Sequence, residues 1–107
     1  MKFKVNYFEY EILELDSHDE RLKIDNDYHW GICSYKDRKI YINKDLNFIN
    51  KKETLIHEVT HAFIEAYGFL QVNLTDEIVS DFVAAHIFNI LRVINEYFKK
   101  EIIETLW

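Results

Sequence analysis

A chain of 107 residues fits a single domain, since domains usually run to roughly 100–150 residues, and 49% hydrophobic with 30% charged residues is a globular rather than a disordered composition. Proline is absent and the only glycines are Gly31 and Gly68, which speaks against low-complexity sequence and a turn-rich β-sandwich and favours long helices. Nineteen acidic residues against 13 basic ones leave a net charge of -6, a field that repels phosphate backbones and excludes nucleic acid as an expected direct partner.

The N-terminal half alternates in strand fashion and is rich in Val, Ile, Tyr and Phe: KFKVNYF, EYEILELD and RLKID, the last after the polar stretch Ser17 to Glu20. Two further short apolar runs, Trp30 to Tyr35 and Lys39 to Asn43, are joined by KDR, a length that suits a hairpin. This hairpin is the expected open edge of the sheet, with the peptide N–H of Tyr41 facing outward. Residues Lys44 to Asn50 read as a connector that can hold a helical turn at DLNFI.

At Lys51 the period changes. Leu55, Ile56, Val59, Ala62, Phe63 and Ala66 recur at helical spacing. Asn50 as N-cap with Glu53 three positions on, and Gly68 just past the last periodic residue, predict a helix over Lys51 to Tyr67. Thr75 is the expected cap of a second helix whose first turn carries Asp76 and Glu77, where carboxylates suit the positive end of the dipole. This helix is predicted to run to about Lys100. The plan is α+β: a small antiparallel sheet in the N-terminal half packed against two helices, in one domain over residues 1–107.

The first helix contains His57-Glu58-Val59-Thr60-His61. Four residues advance a helix by about 400°, so both imidazoles leave from nearly the same side, one turn apart, and can grip one ion. Glu58 lies about 100° round, placed to take a proton from a water that zinc has acidified and to pass it to a leaving amine. His57 and His61 are therefore candidate metal ligands and Glu58 the candidate catalytic residue, with Zn2+ as cofactor. Catalytic zinc wants a third protein ligand, and Asp76, Glu77, Asp81 and His86 are the candidates. Glu77 and Asp81 share a side of the second helix with Ala84 and Ala85, whose small side chains would admit the first helix. His86 falls among Ile78, Val79, Phe82, Val83 and Ile90, the setting of a core histidine. His29, Tyr28, Tyr35 and Tyr67 are weaker candidates for stabilising an oxyanion.

The run T-L-I-H-E-V-T-H-A-F followed by E-I-V-S-D-F-V-A-A from Glu77 resembles the ImmA/IrrE-like zinc metallopeptidases, in particular the small single-domain versions of phages and mobile elements. Gly31 to Asn43 resembles the hairpin that enters the metal helix in those proteins. The resemblance implies a minimal zincin-like fold, Glu77 as third zinc ligand, and hydrolysis of peptide bonds in a protein partner such as a regulatory protein. Ser80, Asp81 and Val83 depart from the commoner Ala, Asn and Phe of that family's helix motif. The reading from another class is a metal-stabilised, non-catalytic protein-binding module. A lone cysteine, Cys33, excludes an intramolecular disulfide and a CxxC site, and no apolar run reaches the roughly 18 residues of a membrane span, so the expected location is cytoplasmic, without membrane contact.

Overall fold

The computed structural model describes residues 1–70 and 72–106, with side chains to residue 99. Strand β1 (Lys2–Val5) turns at Asn6, whose positive φ of 54° suits an asparagine, into β2 (Phe8–Leu15). A short 3-10 turn, Glu20–Leu22, leads into the two-residue strands β3 (Lys23–Ile24) and β4 (Asp27–Tyr28). RLKID is thus not one strand. Asp25 and Asn26, with φ of 51° and 70°, make the tight turn that reverses it, a conformation open to these two residue types. The hairpin is present as β5 (Gly31–Ser34) and β6 (Lys39–Asn43), antiparallel with Ile32 opposite Tyr41.

The main sheet has the order β1-β2-β6-β5 and is antiparallel except where β6 lies parallel to β2, Ile12 beside Ile40 and Leu13 beside Tyr41. The second hairpin strand is therefore interior, and the open edge beside the helices is β5. Tyr41 faces β2 on one side and β5 on the other, so its peptide group lies inside the sheet and not at an edge. Alternation sorts the side chains. Phe3, Val5, Tyr10, Ile12, Ile40 and Ile42 form the helix-facing core, while Leu15 and Tyr41 meet Leu22 of the 3-10 turn on the other face.

Helix α1 (Phe48–Ala66) starts three residues earlier than its apolar period predicts. Its N-cap is Asn47, not Asn50: the Asn47 side chain accepts from the Asn50 N–H at 2.8 Å. Phe48 and Ile49 are exposed, which hides the first turn from a reading based on periodicity; Phe48 instead lies against the Phe98 ring, centroids 5.0 Å apart. The C-terminus ends as predicted. Gly68, at φ +80°, donates its N–H to the Glu65 carbonyl, and Phe69 donates to the Ile64 carbonyl, the paired bonds that close a helix through a left-handed glycine. Leu55, Val59, Ala62, Phe63 and Ala66 are buried against the sheet; truncating Leu55 to alanine would cost about 2–5 kcal/mol.

Helix α2 (Asp76–Leu106) runs past the predicted end. Thr75 Oγ1 accepts from the Ile78 N–H at 3.3 Å, as a cap should. Ile90, Val93, Ile94, Tyr97 and Phe98 enter the core. A polar tie joins the three layers: the Tyr97 hydroxyl donates to Glu14 Oε1 of β2 at 2.6 Å, and the buried Lys51 of α1 pairs with the same carboxylate. No helix among the described residues is long and apolar enough to cross a membrane.

Candidate metal centre

The burial stripe of α1 fixes its rotation, and that rotation turns His57 and His61 outward beside β5. Their Nε2 atoms lie 3.1 Å apart, and His57 Nε2 is 3.7 Å from Glu58 Oε1. The donor atoms of His57, Glu58 and His61 all fall within 4.8 Å of one another, a group that can hold a metal ion. Ligands at about 2.0–2.1 Å from a tetrahedral ion stand about 3.3 Å from each other, and the two separations bracket that value. Two imidazole nitrogens aimed at one point need a shared proton or a cation between their lone pairs, so the donor set fits a divalent ion that accepts nitrogen and oxygen.

The three side chains differ in environment. His57 is 68% exposed and Glu58 only 8%. Burial pushes the Glu58 carboxyl above its ordinary value, opposed by the nearby His57 and His29 and by the Cys33 backbone N–H, which donates to it. Burial, with His57 alongside, lowers the basicity of His61. The Tyr35 hydroxyl engages His61 Nδ1 at 3.2 Å.

Strand β5 can approach α1 this closely because residue 31 has no side chain. A Cβ on Gly31 would lie 2.6 Å from Thr54 Cγ2 and 3.1 Å from Glu58 Cγ. The hairpin register sets what β5 offers. Asn43 donates to the Trp30 carbonyl, so Trp30 and Ile32 occupy hydrogen-bonded positions and the peptide groups of Gly31 and Cys33 point off the open edge. Above this edge lies an open groove lined by Tyr28, His29, Trp30, Glu53, His57 and Glu58, continuing past Cys33 and Tyr35 to His61.

Of the residues singled out in the sequence, the structure brings together His57, Glu58 and His61, with Tyr35 and His29 around them. Glu77 stands outside this group. It is exposed in the first turn of α2, about 200° round the helix from Val79, which lines a cavity against His61. Asp81, Ala84 and Ala85 are exposed as well, so this side of α2 meets solvent instead of admitting α1. The packed side is the one carrying Phe82 and His86. His86 lies among the rings of Tyr67, Phe82 and Phe63, at centroid distances of 4.2, 4.8 and 5.9 Å, and burial lowers its basicity. It and Tyr67 are packing residues. The Cys33 amide escaped the sequence reading, because a backbone donor has no residue signature. Gly31 did leave one: a glycine inside a strand pattern marks a close backbone approach.

No protein family, curated protein or solved structure matches the chain.

Proposed function

We propose that the chain is a zinc-dependent peptidase acting on extended segments of a protein partner. The observation that carries this reading is the convergence of two imidazoles and a carboxylate at the open edge of β5. Zinc bound there would supply Lewis acidity, polarising a scissile carbonyl and acidifying a water.

The chain's own residues do the rest. His57 and His61 hold the ion through Nε2, and Tyr35 orients the His61 ring from its far side. Glu58, mostly buried and held by the Cys33 N–H, carries the proton from water to the leaving amine. The outward Gly31 peptide and the Cys33 carbonyl of β5, whose Cys33 N–H is taken by Glu58, hold a substrate backbone as an added strand, which gives register without demanding a particular side chain. Glu77 is the carboxylate that the family resemblance assigns to the third ligand position, while the carboxylate nearest the imidazoles is Glu58.

The test is zinc loading followed by incubation with unfolded proteins and a random peptide mixture, products being read by mass spectrometry. Cleavage that needs zinc, stops with a chelator and disappears in Glu58→Gln supports the reading. Zinc uptake with no cleavage of any substrate would favour the metal-stabilised binding module.

A further inference from the structure

Next to the metal cluster lies a cavity of about 450 Å³, within the roughly 300–1,000 Å³ of pockets that take small ligands. It sits between α1, the segment after it and α2, lined among others by Tyr35, His61, Ile64, Val79, Val83 and Ile87. Tyr35 and His61 line both the cavity and the groove at the metal site, so the two adjoin across this pair.

The described lining residues offer an occupant no charge and almost no free polarity. The Thr60 hydroxyl is turned back onto the Ile56 carbonyl at 2.7 Å, and Tyr35 and His61 are engaged with each other. A charged side chain would be stripped of water here with nothing to pair with, whereas an apolar one would cover surface that now faces solvent. That surface is substantial: Leu70, Leu74, Val79 and Val83 all line the cavity yet are 50%, 67%, 44% and 47% exposed. Apolar residues gathered in this way around a concavity mark a binding site rather than scattered surface.

Geometry fixes where the occupant comes from. Along β5, Gly31 stands beside Thr54 and Glu58, and the strand leads to Tyr35 beside His61. A peptide laid on this edge crosses the three donor atoms and then reaches Tyr35 and His61, which line the cavity. We propose that the cavity is a specificity pocket that receives one large apolar side chain, such as leucine, methionine or phenylalanine, from the residue on the Tyr35 side of the cleaved bond. This rests on the peptidase reading above and names its substrate class.

The probes are the hydroxamic acids of leucine and of glycine, which share a metal-binding head and differ in the side chain. Each is titrated into zinc-loaded protein with labelled Ile, Leu and Val methyl groups, and zinc content is measured separately. Leucine hydroxamate should bind at least about tenfold tighter than glycine hydroxamate, as burial of a whole apolar side chain implies, and should shift the methyl signals of Val79, Val83 and Ile87. Val83→Glu should remove the difference between probes while leaving zinc content unchanged; Val83→Thr, which keeps the shape, should reduce it several-fold. Equal affinity for the two probes on zinc-loaded protein, or shifts confined to other methyls, overturns the pocket and leaves the metal reading standing. A protein that takes up no zinc fails the peptidase reading and the pocket with it, and metal analysis tells the two failures apart.

Discussion

The Tyr35 hydroxyl lies 3.2 Å from His61 Nδ1, while His61 Nε2 lies 3.1 Å from His57 Nε2, so both nitrogens of one ring are committed. When Nε2 gives its lone pair to an ion, Nδ1 must carry the proton and donate it to the Tyr35 oxygen. Tyr35→Phe should therefore weaken zinc binding by about 10-fold or more, the usual cost of losing a ligand's orienting partner. A competition titration against a chromophoric chelator reads this directly, and unchanged affinity would mean that the hydroxyl does not orient the ring.

Zinc affinity should fall in the order His61→Ala, then Glu58→Gln, then Glu77→Gln. The first removes an imidazole from the cluster, the second alters a carboxylate 3.7 Å from His57 Nε2, and the third alters an exposed side chain outside the group. Hydrolysis should be lost in the first two. If Glu77→Gln cost more affinity than Glu58→Gln, zinc binding would have to rotate the start of α2 and bring Glu77 inward, as the family resemblance implies.

Gly31→Ala should lower stability by about 1–3 kcal/mol, the cost of overpacking a tight contact, because its methyl would press on Thr54 and on the Glu58 side chain. Urea unfolding measures the loss. Activity should drop by more than the fraction unfolded explains, since the displaced group is Glu58, the proposed proton carrier. A fully stable and fully active Gly31→Ala protein would show that β5 and α1 can move apart freely.

Acid should unlock the tie between the layers. Burial pushes the Glu14 carboxyl upward, but hydrogen bonds from Lys51 and Tyr97 outweigh it and hold the group below its ordinary range. With the folded value below an unfolded one of about 4.3, its stabilising contribution is complete above about pH 5 and is lost as pH falls through the folded value. Glu14→Gln should lower Tm at neutral pH and make Tm less sensitive to acid below pH 5. Parallel curves for the two proteins would exclude Glu14 as a source of acid sensitivity.

What could be read from the residues follows from which forces are local. The 55-59-62-63-66 stripe, Gly68 after it and Thr75 before α2 are local signals, and α1, its stop and the α2 cap stand where they point. The alternation of KIYIN marks a strand but not its neighbours. Parallel pairing with β2 joins residues 28 positions apart, Glu11 with Lys39, and depends on which faces the helices cover. Helix α2 carries a single apolar stripe: at 100° per residue, Val79, Val83 and Ile87, which line the cavity, share a side with Ile90, Val93, Ile94 and Tyr97 of the core. Glu77 falls on the opposite side from that stripe, so periodicity alone turns it away from α1, and only the family resemblance assigns it to the metal.

The bond from Tyr97 to Glu14 spans 83 positions, and one continuous cluster runs from Phe3 to Phe98. During synthesis, the sheet and the His57–His61 turn leave the ribosome well before the helix that covers them. Until Phe98 has emerged, the nascent chain exposes apolar strand surface beside half-built donor groups. Folding should then occur in one late step, and a chain arrested before α2 should be held by chaperones rather than acquire a metal site.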